Sequence, residues 1–204
     1  MRQTFSRLFR ANLAGSAGRT LVMGMATAGM FVYQYKQNKL PTLMQQYAFC
    51  AAQKYEIPSQ AELDRARSDL LSFIEEEKYL APLLIRLSWH DAGTYSQKDG
   101  SGGPRACMRF SEGESKHGAN AGLNHAQAAL ADLKKKYPNI SNADFWSLAA
   151  VCAIKVMGGP DVAWRAGRPD ADEANDSVPD GRLPDATQGC HHLRTIFHRM
   201  GFSD

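Results

Sequence analysis

The stretch from residue 81 to residue 92 reads Ala-Pro-Leu-Leu-Ile-Arg-Leu-Ser-Trp-His-Asp-Ala. Pro82 suits the first turn of a helix, where a missing N–H costs nothing, and Gly93 follows the stretch as a natural stop. On such a helix Arg86 and His90 are four residues apart and share one face, with Trp89 beside them. The stretch therefore predicts a helix that brings a cation, an imidazole and an indole to neighbouring surface.

These three side chains suit the chemistry of a peroxide O–O bond. A neutral imidazole can take a proton from one oxygen and return it to the departing one, while a fixed guanidinium stabilises the developing charge. Neither group supplies electrons, so this interpretation requires a redox cofactor. The alternative is an ordinary amphipathic helix, in which Arg86 pairs with a surface carboxylate and His90 lies at the edge of the core.

The whole pattern resembles the distal active-site signature of the plant, fungal and bacterial haem peroxidase superfamily. The matching residues are Ala81, Ile85, Arg86, Leu87, Trp89, His90 and Ala92. Trp directly before the His is similar to class I, which includes ascorbate peroxidase, cytochrome c peroxidase and catalase-peroxidase. The resemblance implies an all-α haem peroxidase fold with haem b. It also implies that Arg86, Trp89 and His90 are catalytic and that Trp89 contacts the haem.

Further motifs of the same family follow along the chain. The run Asn-Ala-Gly-Leu begins at Asn120, and in the family this Asn accepts a hydrogen bond from the distal His. Taken alone, Asn120 would be interpreted as a helix N-cap, but together with the signature it is expected to belong to the catalytic residues. Residues 159–170 and 181–185 also resemble the family, which implies that Pro160 touches the porphyrin. Three charged residues in the first of these segments are expected to be structural: Arg165, Arg168 and Asp170.

The electron donor is open between ascorbate and cytochrome c. Lys78 lies eight residues before Arg86, and in ascorbate peroxidases a Lys at this spacing holds ascorbate. The resemblance is therefore closest to an ascorbate-dependent or hybrid ascorbate/cytochrome c peroxidase, with Lys78 in substrate binding. A solvated cation at a helix end is the alternative for Lys78.

Residues 1–55 differ from the remainder in charge. Seven basic and no acidic residues precede Tyr55, and such a segment resembles a mitochondrial targeting sequence rather than a nucleic-acid tail. Residues 20–35 form a run of 16 uncharged residues, which is a little short of the roughly 20 that span a bilayer. A retained membrane anchor and a cleaved presequence both remain open. The expected location is the mitochondrial or endoplasmic-reticulum membrane.

Residues 56–204 are expected to be the distal helical part of a peroxidase domain. Apolar spacing and caps predict helices beginning at Ser59, near His117 and at Ser141, and a last helix that ends at Gly201. A Gly-rich loop is expected between the second and third of the five helices. The four cysteines are scattered without a C-x-x-C pair, which excludes a disulfide framework and a zinc site, and no other metal site is expected.

The family's second half would begin where this sequence stops, at Asp204. We therefore expect a C-terminally truncated chain without the proximal His that ligates haem iron. Two hypotheses follow. The first is a haem peroxidase that reduces hydrogen peroxide with ascorbate or cytochrome c in oxidative-stress defence. The second is a non-catalytic, membrane-tethered half-domain that lacks the proximal ligand.

Overall fold

The structure is a computed structural model that describes residues 55–204. Within these residues every regular element is helical, so the all-α prediction is confirmed for this part of the chain. The five α-helices are α1 (Gln60–Glu76), α2 (Ala81–Ala92), α3 (Leu123–Lys135), α4 (Asn142–Val156) and α5 (Cys190–Met200). Short 3₁₀ turns at Lys78–Leu80, Cys107–Arg109, Gly113–Lys116, Gly118–Asn120 and Ala174–Asp176 lie between them.

Residues Tyr55–Asp204 form one compact unit. The predicted targeting or anchor segment, including its apolar run at 20–35, lies outside the described residues. Within residues 55–204, no helix combines the length and the hydropathy that crossing a bilayer requires.

Polar side chains start two of the helices where the sequence predicts them. The Ser59 hydroxyl accepts a hydrogen bond from the main-chain N–H of Glu62 at 3.3 Å, and the Ser141 hydroxyl accepts one from that of Asp144 at 3.0 Å. Each bond satisfies one of the N–H groups that a helix start leaves without a partner. α2 has no side-chain N-cap hydrogen bond, and its first turn contains Pro82, which has no N–H group to satisfy.

The core lies where α2 packs against α4 and α1 covers α4. Its largest fully buried apolar side chains include Leu70, Ile74, Leu84, Leu87, Phe145 and Leu148. Burying a side chain of this kind stabilises a fold by about 1.5–3 kcal/mol. α3 packs on α2 from another side, so the helix that carries Arg86 and His90 is held on two faces.

The last helix, α5, is less covered than the others. Only Ile196 is buried on it, whereas Leu193 is 41% exposed and the following Phe202 is 60% exposed. Met157 and Val162, which follow α4, are exposed as well. Several large apolar side chains near α4 and α5 are therefore exposed to solvent.

The segment after α4 is held by charged side chains. The buried carboxylate of Asp144 accepts hydrogen bonds from the main-chain N–H of Gly167 at 2.7 Å and from the Arg168 guanidinium at 2.8 Å. The Asp170 carboxylate accepts from the main-chain N–H groups of Asn142 and Ala143 at the start of α4. Arg168 and Asp170 thus make structural contacts, as the sequence predicted.

Candidate active site

The imidazole of His90 is fixed by a chain of two hydrogen bonds. Its Nδ1 lies 2.8 Å from Oδ1 of Asn120, and Nδ2 of Asn120 donates to the main-chain oxygen of Glu114 at 2.8 Å. An amide nitrogen only donates, so its bond to the Glu114 carbonyl requires Oδ1 to face His90 as an acceptor. Nδ1 of His90 must then carry the proton, and the lone pair lies on Nε2.

The surroundings keep this imidazole uncharged. Burial lowers the pKa of His90 below its ordinary value, the hydrogen bond that Nδ1 donates to Asn120 partly offsets that effect, and the positive charge of Arg86 lowers the pKa further. A His with a lowered pKa is neutral at pH 7. His90 therefore presents a basic nitrogen that is ready to accept a proton.

Arg86 lies one turn before His90 on α2. Its guanidinium reaches the main chain around Asn120, at the end of the 3₁₀ turn Gly118–Asn120. It donates to the main-chain oxygens of Ala119 at 2.6 Å and Ala121 at 3.1 Å, the residues on either side of Asn120. Two of the five N–H donors of the guanidinium are used in this way. Arg86 therefore holds Asn120 in place, a contact that the sequence does not predict, and it retains three donors for other partners.

Trp89 faces α5. Its ring stacks on that of Phe197 with centroids 5.8 Å apart and planes inclined by 16°. A Cβ atom at Gly93 would lie 2.9 Å from the Leu183 side chain and 3.3 Å from the Trp89 ring. The indole is thus fixed between α2 and α5, next in sequence to His90.

The structure brings together Arg86, His90 and Asn120 through direct contacts, whereas Lys78 and Pro160 lie apart from this network. Lys78 is exposed in the turn before α2, and its ammonium is 2.9 Å from the Glu75 carboxylate. Pro160 is exposed just after α4. Within residues 55–204, neither has a hydrogen bond or an ion pair with the other three.

Two buried acids beside the site were not predicted. Asp91 is 1% exposed, its carboxylate accepts the Ala106 N–H at 2.9 Å, and burial raises its pKa to about 8. Glu114 is equally buried, accepts the Val178 N–H at 3.3 Å, and has a pKa raised by burial. Because Asp91 follows His90 directly in the sequence, its position beside the site could have been predicted. No sequence feature of this kind marks Glu114.

The chemistry of this set fits the distal side of a haem. Arg86, Trp89 and His90 all lie on α2. They provide a guanidinium, an indole that stacks on Phe197, and a neutral imidazole whose lone pair lies on Nε2. In the part of the chain that the structure describes, no three His, Cys, Asp or Glu side chains are grouped to hold a metal ion. The residues near His90 thus offer groups for proton transfer and charge stabilisation.

An all-helical unit with this constellation points to the class of helical haem peroxidases. Residues 66–204 match the family described as Peroxidase. The chain is 53% identical over 124 residues to the mitochondrial cytochrome c peroxidase of Emericella nidulans. The aligned residues cover 60% of this chain and 34% of that protein. The chain is 40% identical over 196 residues to the mitochondrial cytochrome c peroxidase of Cryptococcus neoformans var. grubii. That alignment covers 89% of this chain and 52% of that protein.

A plant protein is similar as well. The chain is 47% identical over 144 residues to the probable L-ascorbate peroxidase 3, peroxisomal, of Oryza sativa subsp. japonica, covering 71% of this chain and 48% of that protein. The chain belongs to the haem peroxidase family, in the class I group of cytochrome c and ascorbate peroxidases. It spans about a third to a half of the length of these relatives, from 34% to 52%.

Proposed function

We propose that this chain contributes the distal side of a haem peroxidase active site that reduces hydrogen peroxide, with cytochrome c or ascorbate as electron donor. The names of its relatives support both donors. The observation that carries the proposal is the hydrogen-bond chain from the Glu114 main-chain oxygen through Asn120 to His90. It supplies a base whose free nitrogen is defined by the fold.

His90 is the proton carrier in this proposal. Nε2 takes a proton from one peroxide oxygen and returns it to the departing oxygen, which is general base and then general acid catalysis. The lowered pKa keeps the imidazole neutral before the reaction. Asn120 keeps Nδ1 protonated, so the lone pair stays on Nε2.

Arg86 supplies positive charge beside that proton transfer. Its remaining N–H donors can stabilise negative charge on the departing oxygen, in a site whose dipoles are fixed beforehand. Trp89 and Pro160 are proposed to hold the haem, and bound haem supplies the redox-active iron that exchanges electrons with peroxide and donor.

Lys78 is proposed to bind ascorbate when ascorbate is the donor. Its ammonium is exposed and paired at the surface with Glu75, so a small anion can displace that partner. Surface ion pairs of this kind contribute little, about 0–1 kcal/mol. Recognition of a cytochrome would instead depend on the charge of a larger surface.

We place the chain in the mitochondrion, in defence against peroxide. Its basic, acid-free first 54 residues and the mitochondrial relatives support this location. A membrane anchor through residues 20–35 stays a prediction, since it lies outside the described residues.

The decisive experiment compares peroxide reactivity in haem-loaded protein. We expect His90→Leu to slow the reaction with hydrogen peroxide by about 10²–10⁴-fold, the usual contribution of a positioned acid–base group. The matched control is His125→Leu, because His125 is an exposed histidine on α3. Stopped-flow absorbance in the Soret region measures both rates.

Equal rates for His90→Leu and the parent protein would remove His90 from the mechanism. A haem titration of the 204-residue chain precedes the kinetics. Weak binding with a spectrum like that of free haem, and no reaction with peroxide, would favour the non-catalytic half-domain instead.

A further inference from the structure

Arg199, near the end of α5, makes an unusual set of contacts. Its guanidinium donates to the main-chain oxygens of Gly93 at 2.9 Å, Thr94 at 2.9 Å and Arg182 at 2.6 Å, and also to that of Tyr95. Three of these four carbonyls belong to consecutive residues that directly follow α2. One side chain thus binds both the residues that follow α2 and the loop at Arg182, which is more than 80 residues further along the chain.

Carbonyl groups at the end of a helix need partners from outside it. The last carbonyls of a helix have no intrahelical donor and carry partial negative charge, so a cation at this end is favourable. Of the carbonyls that Arg199 binds, that of Gly93, the C-cap of α2, belongs to this end. The planar guanidinium presents its donors in a rigid fork, which matches several acceptors at once. Arg182 also donates to the Thr94 oxygen, at 2.8 Å.

The same end of α5 contacts α2 and its exit at two further points. The Phe197 ring stacks on Trp89 at 5.8 Å, and the main-chain oxygen of Arg199 accepts the N–H of Gln97 at 2.9 Å. His90 lies between the stacked Trp89 and the clamped Gly93. Contacts from α5 therefore reach residues on both sides of His90: the side chain of Trp89 before it and the main chain of residues 93–95 after it.

We propose that Arg199 is a positioning residue for His90: its guanidinium fixes the end of α2 and thereby keeps the imidazole against Asn120. This rests on the proposed function only in treating His90 as the catalytic base. Arg199 does not itself contact His90, and the contacts that carry the proposal are main-chain ones.

Loss of the guanidinium has a predictable effect on His90. The carbonyls of residues 93–95 lose this donor, the last turn of α2 loosens, and the imidazole becomes more exposed to water. Exposure raises the His90 pKa toward the ordinary value of about 6.5, whereas a weakened hydrogen bond to Asn120 lowers it. Burial is the larger of these two influences on the pKa, so the net expected change is a rise. A residue that merely stabilised the fold would lower the unfolding free energy and leave this pKa unchanged.

The test is an NMR titration of the 204-residue chain with isotopically labelled histidine rings. Arg199→Met and Arg199→Lys are compared with Arg194→Met, a matched control on the same helix whose guanidinium binds the exposed Asp204 carboxylate at 2.7 Å. His90→Leu identifies the His90 signal. We expect the His90 pKa to rise most in Arg199→Met, to rise less in Arg199→Lys, and to stay unchanged in the control.

A folded Arg199 variant with the parent His90 pKa would overturn the proposal. If Arg199→Met does not fold, Arg199→Lys decides, because one ammonium keeps the charge but cannot serve carbonyls on both segments. An unchanged pKa in the Lys variant would then overturn it. The titration involves no peroxide, so this failure leaves the proposed function standing, whereas normal peroxide reactivity of His90→Leu would end the proposed function alone.

Discussion

In the helical core, α2 and α4 meet through apolar side chains, whereas the long segments between helices are bound by ionisable side chains to main-chain atoms. Leu87 and Phe145 are fully buried in the core. In the segments, Asp91 holds the N–H of Ala106 and Asp144 holds that of Gly167. Apolar burial depends on area and volume, while each polar contact depends on one donor, one acceptor and their charge.

The candidate site spans both regions. His90 is carried by a helix of the core, and Asn120 is carried by a 3₁₀ turn that Arg86 binds through main-chain oxygens. The site can therefore be lost in two ways: by unfolding of the whole domain, or by local release of one segment while the helices persist. Substitutions in the two regions should separate these outcomes.

The largest expected effect is in the core. Phe145→Ala removes a fully buried ring from α4 and should lower the unfolding free energy by about 3–5 kcal/mol, because it loses apolar burial and leaves a cavity. Urea denaturation measures the loss. Tyr79→Ala is the control, since Tyr79 is 76% exposed and its removal should cause no measurable change. Similar results for both variants would contradict the assigned core.

A smaller and more local effect is expected at Asp144. Asp144→Asn weakens the contacts to Gly167 and to the Arg168 guanidinium, with an expected cost of about 1.5–3 kcal/mol for hydrogen bonds to a charged group. Amide hydrogen exchange should show faster opening around residues 166–170 than in α2.

The matched control for Asp144 is Asp132→Asn, because the Asp132 carboxylate is exposed and pairs with Lys135 at the surface. It should leave stability and exchange unchanged. Uniformly faster exchange in the Asp144 variant would mean that the segment and the helices unfold together.

The smallest effect over a single measured step, a change of one pH unit, is the pH dependence contributed by Asp91. Its folded-state pKa of about 8 lies above the unfolded value of about 3.9, so the folded form binds the proton more tightly. The parent protein should therefore lose stability relative to Asp91→Asn as the pH rises through this window, by up to about 1.4 kcal/mol between pH 6 and 7. Asn keeps an oxygen acceptor for the Ala106 N–H.

Denaturation at a series of pH values tests this dependence. Asp172→Asn, at an exposed carboxylate, serves as the control and should follow the parent protein at every pH. If the stability difference between Asp91→Asn and the parent did not vary with pH, Asp91 would not titrate in this window.

The helices were predictable because their signals are local. Apolar spacing and the Ser59 and Ser141 caps place α1 and α4, and α2 covers the quoted stretch from residue 81 to 92. Gly93 ends α2 with φ of −69°, so the glycine is required for space against Trp89 rather than for an unusual backbone angle. α3 starts later than predicted, at Leu123, because residues 118–120 form a separate 3₁₀ turn.

The site was predictable only where a motif marks it. The resemblance paired His90 with Asn120, and the structure places these side chains in contact. Asp91, Glu114 and Arg199 were missed because a buried ionisable residue and a solvated one have the same local sequence pattern. Their partners are 15 to 106 positions away along the chain, a separation that periodicity does not report.

The acceptor that orients Asn120 is a main-chain oxygen, that of Glu114. A point mutation at position 114 can exchange the side chain and disturb the loop, but every residue type retains this oxygen. In a saturation mutagenesis screen, the tautomer of His90 would therefore be sensitive at position 120 and largely insensitive to the chemical identity of its second anchor. Because a main-chain acceptor does not depend on residue type, this constraint cannot be recognised from the amino-acid sequence and is seen only in the backbone structure.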